Sequence, residues 1–528
     1  MDQRRVAVHC QCTSQTQRIG RHGDEGRSTQ VVRFAWSRFA VYFLLFAALG
    51  QALVSGAKRP NILLIVSEDN GPELGCYGDP YVKTPVLDRL AANGIRFNRA
   101  YVPQAGCSQS RAALLTGLYP HQNGQIGLAT WKFRLYDENT PNLVRSLKQA
   151  GYRTGIIGKL HINPASAFPF DIKKFSSANF SRKKLGTYAF EAGRFIKESD
   201  RPFFLSVNYP DAHRPFLKTA GGLPVKPLTG SDVKSLPYFG VDTPELRQQM
   251  ANYYNCINRL DSLIGELLNV LRESGKFDNT FIVYMGDHGA DLLRGKRTSY
   301  EGGVRVPLIM HWFGRGRPSR TTVKGVRNEL VSTLDLMPTF LEIAGAKPVV
   351  GLPGRSLVSM VEHNIEEWRR YLFTEFHTHS AHNFYPQRTI RDERYKLIHN
   401  LLPDEINPGY RFTVERFFGG LNEVIFRSTE PVRSAYTLMN RPPAYELYDL
   451  ESDPFEFRSL VDEPEHSGTL KRLQVQLQAW RVKTNDPLLQ QENIVRLKRE
   501  IDACFKDGTP NKQSLSLNYW NYFFKVRN

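Results

Sequence analysis

Four stretches of this chain end in residues that bind metals or anions. "NILLIVSEDNG" closes on Glu68, Asp69 and Asn70, "GYRTGIIGKLH" on Lys159 and His161, "PFFLSVNYPDAH" on Asp211 and His213, and "NTFIVYMGDHG" on Asp287 and His288. Glu68, Asp69 and Asp287 offer hard carboxylate oxygens, which suit Ca²⁺ or Mg²⁺ better than a soft metal, and His288 can join them as one ligand of several. Without an ion such acids repel one another and their pKa values rise. A divalent cation removes that cost.

A fifth stretch, "AGCSQSRAALLTGLYPHQNG", carries an isolated thiol. It reads as a loop, then a helix from about Ser108 to Thr116 that Gly117 stops. Cys107 then lies at the helix N-terminus, where backbone N–H groups and the helix dipole favour an anion. Arg111 follows about one turn on. That setting lowers a thiol pKa or cradles a charged oxygen. A plain cysteine hydrolase would want a histidine partner and no metal, so the acid-rich rim argues for other chemistry.

The rim residues need elements to hold them. Each of the four stretches opens with an apolar run, at 62–66, 154–157, 203–207 and 281–285. From Arg59 to about residue 365 such runs alternate with amphipathic helices, the pattern of an α/β layer fold around a largely parallel or mixed sheet. In open α/β sheets ligands bind beyond the carboxyl ends of the strands, so the four ends are expected to share one rim. "NRLDSLIGELLNVLRESGK" sets Leu260, Leu263, Ile264, Leu267, Leu268 and Leu271 on one helical face, with Gly275 as its stop. "YEGGVRVPLIM" reads as a turn and a strand that position Lys296. Beyond about residue 366 the pattern shifts to antiparallel strands and one helix, "GTLKRLQVQLQAWRVKT". The tail after Pro487, with Trp520 and other aromatics, is not disordered by composition, and the sequence assigns it no role.

The 528 residues suffice for two domains. Residues 1–38 are polar and Arg-rich, and the apolar run "FAVYFLLFAALGQALV" behind them ends in "SGA". This predicts a signal peptide cleaved after Ala57, with an uncleaved anchor as the alternative, and hence export to a periplasmic, secreted or lysosome-like compartment. Cys10 and Cys12 would leave with the leader. Cys76, Cys107, Cys256 and Cys504 have no metal-finger spacing and make no disulfide framework, though one pair could bridge. The formal charge is +18, and the leader carries seven arginines and three acids, leaving about +14. Such a balance favours polyanionic partners. The basic residues are dispersed and no nucleic-acid-binding signature appears, so a generically basic surface is the alternative, and for an exported protein a sulfated or uronic-acid-bearing glycan is a more natural polyanion than nucleic acid.

"CSQSR" followed by "AALLTG" resembles the signature of the type I sulfatases, Cys-x-Pro-x-Arg with a Leu-Thr-Gly-like continuation. The resemblance runs on through "PNILLIVSEDNG", "GYRTGIIGKLH", "YYNCINRLDSLIGELLNVLRESGKFDNTFIVYMGDHG", "GKRTSYEGGVRVPLI" and "YELYDLESDPFEFRSL". "PHQNGQIGL", "RTGIIGKLHINP", "FPFD", "YPQR" and "YKLIHNL" are most similar to its sulfamidase branch, the N-sulfoglucosamine sulfohydrolases. It implies an alkaline phosphatase-like fold, a large mixed sheet sandwiched by helices with a smaller C-terminal antiparallel sheet plus helix. The implied domains are a leader (1–57), a catalytic domain (58–365) and a smaller α+β domain with the tail (366–528).

The resemblance also implies a chemistry. Cys107 would be oxidised by a formylglycine-generating maturation enzyme to Cα-formylglycine, whose hydrate is the nucleophile. Glu68, Asp69, Asp287 and His288 would hold one Ca²⁺, with Mg²⁺ as the alternative. Arg111 would steady the diol, Lys159 and Lys296 would hold sulfate oxygens, His213 would protonate the leaving atom, and His161 would accept the proton that releases sulfate. His377, His379 and Arg388 would line the substrate pocket. Three positions depart from the family pattern: Gln109 replaces the motif proline, Glu68 an aspartate and His288 an asparagine. An O-sulfatase, a phosphoester or phosphonate hydrolase of the same superfamily, and a non-catalytic glycan-binding relative are the alternative functions, and a homo-oligomer is an open assembly.

Overall fold

Uninterrupted Ile, Leu and Val runs form strands buried on both faces, and the structure, a computed structural model, builds its main sheet from them. It describes residues 59–175, 178–312, 324–362, 367–417 and 420–523. The leader, with its expected signal peptide and with Cys10 and Cys12, lies outside the described residues.

The strands are β1 (Asn61–Ser67), β2 (Ile95–Tyr101), β3 (Arg153–Gly158), β4 (Ile172–Lys174), β5 (Phe203–Tyr209), β6 (Thr280–Gly286), β7 (Arg305–His311), β8 (Gly325–Arg327) and β9 (Val331–Ser332). Their order is β4-β3-β5-β1-β6-β7-β2-β8, with β9 also pairing β2. From β4 through β6 every pairing is parallel. β7 runs antiparallel to both β6 and β2, which makes the sheet mixed.

Alternate residues of the central strands feed two cores. Leu63, Ile65, Leu205, Val207, Ile282 and Tyr284 pack with the helix Pro244–Glu273 on one face. Ile62, Leu64, Val66, Phe204, Phe281 and Val283 pack on the other, against the helix Leu336–Ala344. This is the layered sandwich the sequence predicts. The long helix spans 30 residues and begins well before the leucine face that announces it. Its start is fixed by Thr243, whose side chain accepts from the Leu246 N–H, and by Pro244 in the first turn. Gly275, at φ +70°, follows its end.

A second sheet is antiparallel, with β10 (Leu372–Phe376), β11 (Gln387–Arg391), β12 (Tyr395–Asn400) and β13 (Tyr445–Asp449) in that order. The helix Ser467–Lys483 sets Leu473, Leu477 and Trp480 against Ile390, Leu397 and Leu447, and the same cluster includes Ala113 and Leu334. The tail folds back. Leu515, Leu517, Tyr519 and Phe523 join the helix Gln491–Asp502 in a core with Ile126 and Phe133. The Tyr519 hydroxyl accepts from the Arg134 N–H at 2.8 Å and lies 2.8 Å from the carbonyl oxygens of Gly124 and Arg134. Lys58–Asn528 forms one compact unit, and Cys76, Cys107, Cys256 and Cys504 are all free thiols. Among the described residues no helix is long and apolar enough to cross a membrane.

Candidate active site

β3, β5, β1 and β6 are consecutive in the sheet and parallel, so their carboxyl ends stand in a row. The four polar segments leave from that row. They come close enough that two strand ends admit no side chain: a Cβ on Gly158 would lie 2.1 Å from the Asn208 carbonyl oxygen, and one on Gly286 2.0 Å from that of Asn70. The Asp287 N–H donates to the Ser67 carbonyl and the Asp69 N–H to Asp287 Oδ1, both at 2.9 Å. Asp69 and His161 adopt positive φ, 50° and 58°, the left-handed region in which Asp and His are over-represented among non-glycine residues.

Cys107 is the first residue of the helix Cys107–Thr116, with extended Gly106 before it and Gly117 at φ 67° closing it. Its Sγ lies 3.3 Å from His288 Nε2. One turn on, buried Arg111 donates from Nε and Nη2 to Asp287 Oδ2 at 3.1 and 2.9 Å, and from Nη1 to the Lys159 carbonyl and Asn208 Oδ1. Lys159 Nζ donates to Glu68 Oε2 at 2.7 Å. Lys296 Nζ stands 2.9 Å from each oxygen of Asp69, and His213 Nε2 is 3.9 Å from Asp69 Oδ2.

This donor set fits a hard divalent cation. One ligand atom each from Asp69, Cys107, Asp287 and His288 lie within 4.8 Å of one another, all buried. Glu68 falls in a second such group, with Cys107 and His213, and its buried Oε1 accepts no hydrogen bond, which a carboxylate rarely tolerates.

The charges act on one another. Burial alone would raise the Cys107 pKa, but Lys159, Lys296 and His288 hold it well below the usual thiol value. Burial raises that of Glu68 against the pull of Lys159 and Arg111. Burial would lower that of His288, yet Asp287 and the Cys107 thiol bring it up to about 9; metal ligation would require the ring to give up that proton. The two other histidines diverge. Burial depresses His161 to about 4, with Lys159 adding to the effect. Burial also opposes charge on His213, but Asp69 outweighs it and raises its pKa.

Of the three expected pocket residues, His379 has its ring beside the Cys107 thiol, and its Nε2 is buried without a hydrogen-bond partner. His377 and Arg388 spend their polar atoms within the protein. Arg388 donates to both oxygens of Asp486, at 2.9 and 2.7 Å, and its Nη2 lies 3.1 Å from His377 Nε2. His377 Nδ1 is 3.2 Å from Gln104 Oε1. Gln109, at the departing motif position, donates to the Thr378 carbonyl at 2.7 Å and so ties the Cys107 helix to the segment carrying His377 and His379.

Sequence reasoning passed over two contributors. Asn208, the penultimate residue of β5, receives Arg111, and that place at the strand's carboxyl end is the signal that could have found it. Phe180, stacked on the His213 ring at a centroid distance of 4.3 Å, lies in a loop with no motif to mark it.

The sulfatase family model matches residues 60–346, and the model described as N-sulphoglucosamine sulphohydrolase, C-terminal, matches residues 286–407. Human N-sulphoglucosamine sulphohydrolase is 31% identical over 474 residues, covering 82% of this chain and 91% of that protein. An ulvan-active sulfatase of Formosa agariphila is 28% identical over 449 residues, 83% of each chain. Among solved structures, a protein in complex with its substrate D-glucosamine-2-N,6-O-disulfate superposes with a TM-score of 0.59 at 21% identity, over 81% of this chain and 99% of that one. A 2-O glycosaminoglycan sulfatase superposes with a TM-score of 0.62 at 21% identity, over 82% and 94%. These two likenesses speak to the fold.

Proposed function

This chain belongs to the sulfatase family and is sulfamidase-like within it, and from that premise we propose that it releases sulfate from sulfated glycans, acting on the N-sulfate of a glucosamine residue. The observation that carries this reading is the Cys107 thiol at a helix N-terminus, 3.3 Å from His288 and inside a cage of acids and ammonium groups.

Glu68, Asp69, Asp287 and His288 would hold the cation, Ca²⁺ or alternatively Mg²⁺, which when bound supplies Lewis-acid polarisation of sulfate oxygens. Cys107, converted to Cα-formylglycine, would supply as its hydrate one hydroxyl to attack sulfur and a second that lets the carbonyl re-form and expel sulfate.

The remaining roles fall to the chain's own side chains. Arg111, fixed by Asp287 and Asn208, keeps positive charge beside residue 107. Lys159 and Lys296 turn from Glu68 and Asp69 toward the sulfate oxygens as point charges, stabilising the charge that builds in the transition state. His213, whose surroundings favour its protonated form, donates a proton to the leaving nitrogen. His161, which its surroundings keep neutral, accepts one from the second hydroxyl. Two like groups pushed in opposite directions are the arrangement that acid and base assignments need. His379 would meet the substrate beside residue 107, with His377 and Arg388 fixing the segment that carries it. The Arg-flanked apolar run ending at Ala57 supports an exported enzyme.

The test is turnover on a panel of N-, 2-O- and 6-O-sulfated saccharides, with mass spectrometry of the peptide around Cys107 from protein made in its own host. Sulfate release from the N-sulfated member and an aldehyde at position 107 are expected. Turnover confined to O-sulfated members would replace the sulfamidase reading with an O-sulfatase. A fully retained thiol in active protein would remove the formylglycine chemistry.

A further inference from the structure

Phe180 is 42% exposed, although burial of a phenylalanine ring is favourable. Its ring lies nearly parallel to the His213 imidazole, 4.3 Å between centroids and 22° between planes. Lys159 Nζ is 5.7 Å from the centre of the same ring. The exposed aromatic therefore borders both the acid and one of the sulfate-binding ammonium groups. Phe190 and Phe426 are more exposed, at 62% and 73%, and stack on no such group.

The ring is fastened there. Arg182, 3% exposed, donates to the Phe180 carbonyl at 2.6 Å, the Pro210 carbonyl at 3.2 Å, the His213 carbonyl and Asp211 Oδ1 at 3.0 Å. Asp211 in turn takes two bonds from buried Arg259, at 2.8 and 2.7 Å. Asn179 closes the turn, accepting from the Lys183 N–H and donating to the Lys183 carbonyl. A buried Arg–Asp–Arg cluster thus locks the Phe180 loop to the segment that carries His213. Such a cluster is costly unless each charge is paired. Here it holds a ring half in water beside the catalytic groups.

We propose that Phe180 is a sugar-binding platform of the active site, its open face taking the apolar C–H face of the pyranose that bears the sulfate. This rests on the saccharide sulfatase reading above. In that reading His213 protonates the leaving nitrogen, so the sugar carbon attached to it lies next to the imidazole. A ring stacked on that imidazole is within reach of the next sugar atoms. Saccharide pockets need apolar area to supplement their few directional polar groups, and a rigid aromatic ring supplies it at low entropic cost. Arg182 is the positioning residue for the platform.

The experiment compares wild type, Phe180→Ala and Phe180→Trp on N-sulfated glucosamine, with inhibition by inorganic sulfate measured in parallel and melting temperature as the check on folding. Phe180→Ala should raise KM about tenfold, the scale of a lost aromatic contact, with kcat and sulfate inhibition little changed, and Phe180→Trp should restore KM. An unchanged KM would overturn the proposal, as would kcat and sulfate inhibition weakening together with KM, since the ring would then serve only to prop His213. Wild type that neither turns over nor binds any sulfated saccharide by calorimetry would remove the functional reading and the platform together. Normal turnover with an unaltered KM in Phe180→Ala removes the platform alone.

Discussion

Nδ1 of His288 lies 2.8 Å from the carbonyl oxygen of Gly289, while Nε2 of the same ring faces the Cys107 thiol at 3.3 Å. A carbonyl can only accept, so Nδ1 carries a proton. In the neutral ring the Nε2 lone pair then points into the acid cluster. One backbone contact thereby presets the imidazole as a ligand.

A cation site follows from that geometry. Removing divalent ions with a chelator should abolish sulfate release, and Ca²⁺ should restore it. Ca²⁺ should also stabilise the wild-type protein by about 3 kcal/mol at a hundredfold excess over its dissociation constant, read as a rise in melting temperature. Asp69→Asn and Asp287→Asn should each raise the Ca²⁺ needed for half-maximal activity by at least about tenfold. Melting curves indifferent to Ca²⁺ would refute the site.

Cys107→Ala should reduce turnover by about 10⁴-fold or more, because it removes the precursor of the hydrated aldehyde that is the nucleophile in this mechanism. Cys107→Ser should be equally inactive unless the maturation system accepts serine. Sulfate release assayed beside mass spectrometry of residue 107 decides the matter, and full activity in the alanine variant would end the mechanism.

Lys296→Met removes the ammonium that both oxygens of Asp69 contact. Loss of one preorganised charge from the transition state should cut kcat by about 10²–10³-fold. Leaving buried Asp69 with only His288, at 3.3 Å, and His213, at 3.9 Å, beside it should destabilise the ion-free protein. Ca²⁺ should recover part of the stability and none of the kcat. An unaltered kcat would show that this lysine meets no sulfate oxygen.

Acid should weaken the second sheet through Glu375. Burial would raise its pKa, but His121 and His377 outweigh this and bring it from 4.5 down to about 2. A carboxylate depressed in the folded state adds stability that is fully present above the unfolded value near 4.5. That stability is lost as the pH falls toward about 2, and over the whole window it amounts to about 3 kcal/mol. Denaturant unfolding between pH 6 and 2 should therefore be steeper in wild type than in Glu375→Gln. Parallel curves would refute the assignment.

Much of this was legible because strand chemistry is local. Ile62–Val66 and Phe281–Met285 are strands by composition, and each is followed directly by the acids it delivers, so the sequence predicts both the element and its cargo. Gly117 ends the Cys107 helix by the same local logic, since a left-handed residue is needed there. The long helix was read only in part, because its first half presents no leucine stripe and starts on a threonine cap. In the tail after Pro487, Ile494, Leu497 and Ile501 do have helical spacing, but nothing local announces that this face packs with Ile126 and Phe133.

By itself the sequence determined which side chains could do chemistry at each strand end, since residue type and neighbouring pattern are properties of a few consecutive positions. Only the tertiary structure decided the strand order that sets β3, β5, β1 and β6 side by side, and with it the pairing of Lys159 with Glu68 and of Lys296 with Asp69. It alone decided that Arg388 faces Asp486 and that Phe180 faces His213. These are contacts across large sequence separations, selected by how whole layers pack, and no local pattern encodes them.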